Sequence, residues 1–151
     1  MVVNACVCEC ECACNLWLIG TSCTFIIPVS FALYYNMYYH AICVCCLIFC
    51  SINYWRKPSY GLRRNIDILC VYTTGAIFTY SAYMAINNIY ILSYCHLLLV
   101  IAFSTYKYGC YLNNLDHNNV KWVMYHGTFH IICVYIIMCV LYYIRPYYIC
   151  V

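Results

Sequence analysis

Residues 56–65 read RKPSYGLRRN, and this stretch holds four of the seven Lys and Arg residues of the chain. No Asp, Glu, Lys or Arg occurs over residues 12–55 before it or over 68–106 after it, and a third uncharged run covers 122–144. About 20 apolar residues cross the hydrocarbon core of a bilayer as a helix. The first two runs therefore fit two spans each and the third fits one. We expect an all-α, polytopic membrane helix bundle with about five transmembrane helices.

The overall composition points to the same class of protein. Soluble domains carry about 25% charged residues, whereas this chain has 7% charged and 68% hydrophobic residues. Four acidic and seven basic side chains could not cover a soluble fold of 151 residues. The net charge of +3 is explained by loops that anchor at a membrane face, so it does not indicate nucleic-acid binding. The expected partners are membrane lipids, with no nucleic acid.

The uncharged runs also predict where each span begins and ends. We expect a single transmembrane bundle over residues 16–145, followed by a short tail over 146–151. Pro28 lies inside the first span and is expected to kink it. The predicted spans are residues 16–35, 39–55, 67–87, 89–106 and 122–144.

Most of the 16 cysteines lie in or beside apolar spans, where Cys behaves as a small hydrophobic residue. The exception is a Cys-rich, low-complexity leader over residues 1–15, in which residues 5–15 read ACVCECECACN. One interpretation is a metal-binding or palmitoylated tail. The other, which the strict alternation favours, is compositional bias from a translated dinucleotide repeat.

The distribution of basic residues predicts the orientation of the chain. The connections between spans two and three and between spans four and five lie on one side of the membrane, and the opposite side holds only Arg145. Basic residues concentrate on the cytosolic side of membrane proteins. We therefore expect a cytosolic N-terminus and a C-terminus on the opposite side. The cations on the first side are Arg56, Lys57, Arg63, Arg64, Lys107 and Lys121.

A few polar residues inside the spans are candidates for a functional site. His126 and His130 form the sequence HGTFH on the fifth span, Asp67 opens the third, and Ser51 lies near the end of the second. Residues at i and i+4 share a helix face, so both imidazoles can reach one metal ion. All four residues fall toward the cytosolic ends of their helices. Because polar groups are costly inside a membrane, each is a functional hypothesis.

Two segments carry a resemblance to a known family. Residues 51–67 read SINYWRKPSYGLRRNID, and residues 122–132 read WVMYHGTFHII. Together they resemble the superfamily of alkaline ceramidases, progestin/adiponectin receptors and haemolysin III-type membrane proteins, with this chain as a short, divergent member. The family has seven helices and reads S-x-x-x-H on its second helix, where this chain has Trp55.

The resemblance implies a zinc site at the cytosolic leaflet that hydrolyses lipid amides or esters. His126 and His130 would bind Zn2+, Asp67 would orient water, and Ser51 would be the nearby hydroxyl. Since the third His of the family is absent, another residue would have to complete the site. The first candidates for this third ligand are His96 on the fourth span and His117 in the loop that follows it. The further candidates are Asp67 itself, Cys50 and Asn53, and His40 is the poorest candidate.

Each of these residues also has a structural interpretation. His126 and His130 would form hydrogen bonds between helices, with Gly127 allowing close packing. Asp67 would be a favourable charge at a helix start, and Ser51 would bond a carbonyl of its own helix. The leading hypothesis is the zinc-dependent hydrolase acting on a lipid substrate. The alternative is a non-catalytic small membrane protein, as a degenerate relative, a scaffold or a pore-forming oligomer.

Overall fold

The computed structural model is a bundle of long helices and describes residues 14–58, 61–115 and 120–149. All regular elements within these ranges are helical. Five of the helices are long and apolar enough to cross a membrane. The expected all-α bundle with five spans is therefore confirmed, and the chain is an integral, multi-pass membrane protein. The helices are α1 Cys14–Tyr34, α2 Tyr38–Trp55, α3 Leu62–Ala85, α4 Ile89–Leu115, α5 Lys121–Ile144 and the short α6 Pro146–Ile149.

Helix α1 is interrupted by a turn at residues 24–25 and resumes as Ile26–Tyr34. Proline has no N–H to bond the carbonyl four residues earlier, and its ring crowds that carbonyl. The Thr24 carbonyl instead accepts a hydrogen bond of 3.1 Å from the Ile27 N–H. The helix is thus interrupted one turn before the proline, where the carbonyl that Pro28 cannot bond lies. At the other end of α1, Asn36 adopts a positive φ of 58° and turns the chain into α2.

Two of the span boundaries predicted from the sequence are wrong. Helix α3 begins at Leu62, just after Gly61 with its φ of 132°, rather than at residue 67. Helix α4 continues to Leu115, rather than ending at residue 106. Charged side chains can extend toward water while their backbone stays helical, so a charge does not end a helix. Asp67 consequently lies in the second turn of α3, beyond the first turn in which the helix dipole acts.

Helix α5 is the centre of the bundle. It packs most extensively along α4 and also contacts α1 and α3, while α2 lies between α1 and α3. Two glycines allow these close approaches. A Cβ at Gly109 would lie 3.3 Å from the Trp122 carbonyl oxygen and 3.3 Å from the Tyr125 Cβ. A Cβ at Gly127 would lie 2.7 Å from Trp17 Nε1, so the close packing expected at Gly127 is present.

The apolar core has two parts. The larger cluster joins α1, α2, α3 and α5 through side chains from Phe25 to Ile144. The smaller consists of Leu18, Trp55 and Val123, with partly buried neighbours. The smaller cluster lies at the end of the bundle that carries the α2–α3 and α4–α5 connections, which we call the basic end. The outer faces carry large apolar and aromatic side chains, which suit contact with lipid tails rather than water.

Candidate functional site

The two histidines of α5 lie side by side at the basic end. The ring centroids of His126 and His130 are 5.0 Å apart, and the rings meet edge to face at 82°. Both side chains project from one face of α5, as their spacing predicts. Since zinc–imidazole bonds are about 2.0–2.1 Å long, two rings this close can reach the same ion.

A hydroxyl of α1 orients one of these histidines. Thr21 Oγ1 lies 2.9 Å from His130 Nδ1, and both residues are buried. Thr21 Oγ1 also donates a hydrogen bond of 3.0 Å to the Leu18 carbonyl. A hydroxyl has a single proton, so its oxygen is left to accept from Nδ1–H of His130. This bond leaves His130 Nε2 unprotonated, the form in which imidazole accepts a hydrogen bond or binds a metal.

Ser51 is joined to the same segment of α1. Its Oγ lies 3.0 Å from Ser22 Oγ, and Ser22 donates a 2.8 Å hydrogen bond to the Leu18 carbonyl. The Ser22 proton is thereby engaged, so Ser51 is the donor between the two hydroxyls. Ser51 therefore bonds across to α1, in contrast to its structural interpretation as a donor to its own helix. We call these four side chains the polar junction: Thr21, Ser22, Ser51 and His130. Thr21 and Ser22 both bond the Leu18 carbonyl of α1, and they connect it to His130 of α5 and Ser51 of α2.

Trp55 packs directly against His126. Their ring centroids are 4.9 Å apart at an angle of 74°, and Trp55 is 4% exposed. Its Nε1 is buried without a hydrogen-bond partner in the described part of the chain. Tyr106 contacts the His126 ring as well, at 5.5 Å between centroids. Trp55 follows Ser51 by one turn, so the indole stands where the S-x-x-x-H pattern of the resembled family has its third imidazole.

Asp67 is buried in α3, and its Oδ1 has no hydrogen-bond partner among the described residues. Its carboxyl lies within electrostatic range of the Cys50 thiol of α2. The Cys70 thiol in turn donates a hydrogen bond to Cys50, with 3.2 Å between the two Sγ atoms. The structure thus associates Asp67 with the cysteines that join α2 to α3.

The other proposed ligands have different environments. His96 on α4 lies with Nε2 2.9 Å from the Tyr83 hydroxyl and with Nδ1 2.7 Å from the Leu92 carbonyl, so hydrogen bonds occupy both ring nitrogens. Asn53 is exposed on the surface of α2. His117 and the cysteines of the leader up to residue 13 lie outside the described residues.

These contacts test whether the described side chains fit a catalytic zinc ion. Such an ion takes three protein ligands and keeps one position for water or substrate. Within residues 14–58, 61–115 and 120–149, no three His, Cys, Asp or Glu side chains come together in a group that could hold a metal. His126 and His130 supply two possible ligands. The side chain beside them is the indole of Trp55, which has only an N–H donor and cannot bind a metal. The described residues therefore do not fit the zinc ion implied by the resemblance.

Two members of the polar junction were missed by sequence reasoning. Thr21 and Ser22 belong to the sequence TSCT at residues 21–24, a short hydroxyl-rich segment inside an otherwise apolar span. Hydropathy tolerates Ser and Thr in a membrane helix because each can bond its own backbone. The density of hydroxyls was the available signal, but it did not reveal that Ser51 and His130 are their partners.

Comparison with known proteins adds no further assignment. No family model matches the chain, no curated protein matches it significantly, and no solved structure does. The resemblance noted in the sequence therefore depends on its short motifs alone.

Proposed function

We propose that the chain is a non-catalytic membrane protein, a reduced relative of the ceramidase and receptor superfamily in which a packed helix junction occupies the place of the zinc site. The observation that supports this proposal is the ring contact between Trp55 and His126. An indole cannot replace imidazole as a ligand, since its nitrogen carries a proton and has no free lone pair.

The polar junction gives these residues a structural role. Helices in a bilayer gain little from hydrophobic contact with one another, so van der Waals packing and hydrogen bonds between helices hold them together. Such a bond contributes about 0.6 kcal/mol on average, and up to about 1.7. The hydrogen bonds that His130 donates to Thr21 and that Ser51 donates to Ser22 join α5 and α2 to α1. Their residues stay buried and polar without any need for catalysis.

Metal analysis of the purified protein tests this proposal. The full chain is exposed to zinc in detergent, washed, and measured by inductively coupled plasma mass spectrometry beside the double variant His126→Ala/His130→Ala. We expect the same background zinc content in both proteins. About one zinc per chain in the wild type, lost in the double variant, would overturn the proposal.

A second candidate function is the zinc-dependent lipid amide or ester hydrolase at the cytosolic leaflet. It is favoured by the His126–His130 pair and by the hydrogen bond that leaves His130 Nε2 free. In this case His117, from the connection between α4 and α5, would be the third ligand. When bound, zinc would polarise the substrate carbonyl. The candidate predicts stoichiometric zinc that is lost in His117→Ala, together with hydrolysis of a lipid amide or ester. Wild-type protein without zinc would exclude it.

The orientation of the chain is part of the same proposal. Six cations flank the basic end and Arg145 stands alone at the other. This distribution supports a cytosolic N-terminus and a C-terminus across the membrane. Glycosylation-acceptor tags fused to either terminus test this in a microsomal translation system. We expect glycosylation of the C-terminal tag only, and glycosylation of the N-terminal tag would reverse the assignment.

A further inference from the structure

The end of the bundle opposite the basic end contains a cleft between α2, α3 and α6. Its volume is about 480 Å³. Tyr39 and His40 line it from α2, Tyr80 and Ser81 from α3, and Tyr148 from α6, while two aliphatic side chains of α3 complete the wall. None of the lining side chains is an Asp, Glu, Lys or Arg. The cleft is therefore neutral, largely aromatic and open rather than enclosed.

A polar pair, the buried His40 and the partly buried Ser81, forms one wall of this cleft. His40 is 4% exposed, and its Nε2 lies 3.0 Å from Ser81 Oγ. The His40 ring also meets Phe78 and Tyr148 edge to face, with centroids 5.3 and 5.9 Å apart. His40 Nδ1 has no hydrogen-bond partner in the part of the chain that the structure describes. Buried polar atoms without a partner are rare, and each requires an explanation.

In both tautomers of His40, one hydrogen-bonding group of His40 and one of Ser81 are left without a partner in this pair. If Nε2 carries the proton, it donates to Ser81, the Ser81 proton is free, and Nδ1 lacks a donor. If Nδ1 carries the proton, it lacks an acceptor, and Ser81 donates to Nε2 while its second lone pair stays free. A ligand hydroxyl both donates and accepts, so it complements the pair in either state. In each state a carbonyl would complement only the free donor, and an ammonium group only the free acceptor.

The charge and the dimensions of the cleft narrow the class of ligand. A phosphate headgroup would find no Lys or Arg among the lining side chains to pair with. The α3 wall runs from Ala76 to Ser81, five residue rises or about 7.5 Å. That length accommodates a small headgroup and its first methylenes, and flexible chains would continue into the surrounding bilayer. His40 is the third residue of α2, close to the end of that span.

We propose that this cleft binds a neutral glycerolipid with a free hydroxyl, of the diacylglycerol class, whose hydroxyl bonds the His40–Ser81 pair. The three tyrosine rings border the glycerol, and the acyl chains continue into the surrounding bilayer. This inference does not depend on the chemistry at the basic end, because none of its residues belongs to the polar junction.

Photolabelling tests the proposal with the full chain in phosphatidylcholine nanodiscs. The probe is a diacylglycerol with a diazirine close to the glycerol, and labelled peptides are mapped by mass spectrometry. We expect labelling on the segments that contain Tyr39, Tyr80 and Tyr148. Unlabelled diacylglycerol should compete, whereas added phosphatidylcholine and a sterol should not.

Two variants and one matched control test the role of the polar pair. Ser81→Ala and His40→Phe should each lower labelling about tenfold, the effect of losing about 1.4 kcal/mol of hydrogen bonding to the ligand. His96→Phe is the control, because its Nε2 makes a similar bond of 2.9 Å to the Tyr83 hydroxyl away from the cleft. Labelling of this variant should equal that of the wild type.

Three results would overturn the proposal: competition by the sterol or phosphatidylcholine as strong as by diacylglycerol, labelling spread along the outer face of α4, or unchanged labelling in Ser81→Ala. If His40→Phe does not fold, Ser81→Ala decides the test alone, since Ser81 is only partly buried. Size-exclusion profiles and melting curves confirm that each variant is folded before it is labelled.

Discussion

The substitution Trp55→His should add a third imidazole beside His126 and His130 and so create a zinc site among the described helices. It places an imidazole one turn after Ser51, at the position now in ring contact with His126. The Trp55 and His126 centroids are 4.9 Å apart, and those of His126 and His130 are 5.0 Å apart. Three imidazoles would then border one space, which is a sufficient protein ligand set for zinc.

The structure allows the stability change to be estimated. Truncating a buried Trp to Ala costs about 3–5 kcal/mol, and His retains part of the lost volume, so about 2–3 kcal/mol is expected. Removing the buried Nε1, which lacks a partner among the described residues, offsets this by about 1–3 kcal/mol. The free energy of unfolding of the metal-free variant should therefore lie between about 1 kcal/mol above and about 2 kcal/mol below that of the wild type. Zinc at a hundredfold excess over its Kd would add about 2.7 kcal/mol.

Zinc content and thermal unfolding, with and without a chelator, provide the assay. We expect about one zinc per chain in Trp55→His and a chelator-sensitive rise in its melting temperature. Trp55→Phe removes the indole without offering a ligand, and it should take up no zinc. The double variant Trp55→His/His126→Ala lacks one of the three imidazoles, and it should lose the site.

Two outcomes would refute the reasoning behind this prediction. If Trp55→His folds and still binds no zinc, position 55 does not face the space between His126 and His130. If Trp55→Phe binds zinc equally well, the indole only blocked access to ligands already present, and the second candidate function would be supported instead.

Two further predictions concern contacts between helices. Gly127→Ala should be about 1–3 kcal/mol less stable than the matched variant Gly75→Ala. The new Cβ at position 127 would meet the α1 indole at 2.7 Å, whereas Gly75 faces open space. Chemical denaturation of both variants measures the difference, and equal stabilities would contradict the close contact between α1 and α5. Mild oxidation with a membrane-permeant oxidant should join Cys50 and Cys70 in an intrachain disulfide, since their Sγ atoms are 3.2 Å apart. Peptide mapping without reductant should recover that pair, while the exposed Cys23 can still be alkylated. Free thiols at both positions after oxidation would show that α2 and α3 pack in another register.

Hydropathy located the spans well but was less accurate at their ends. The last residues of α2 and α5, Trp55 and Ile144, coincide with the expected ends. The start of α3 and the end of α4 were misplaced, because Asp67 and Lys107 were interpreted as the limits of helices. A charge indicates where a side chain must reach water, but the backbone can stay hydrogen-bonded as a helix well past that depth.

The candidate site was predictable only in part. The shared face of His126 and His130 follows from the geometry of a single helix, and the structure has it. The partners of these rings come from other helices, namely Thr21 from α1 and Trp55 from α2. Their proximity depends on how α1 and α2 are rotated about their axes, and the packing at Gly127 and the break before Pro28 contribute to that rotation. No pattern within one span contains this information.

The sequence by itself determined that the helices lie in lipid and how many spans there are. The free energy of moving each side chain from water into lipid is a local property, and it sums along the chain. Only the tertiary structure decided which polar groups meet: His130 with Thr21, His40 with Ser81, and an indole rather than a third imidazole against His126. Those pairings depend on helix rotation and close packing, where shifts of an ångström separate a hydrogen bond from no contact at all.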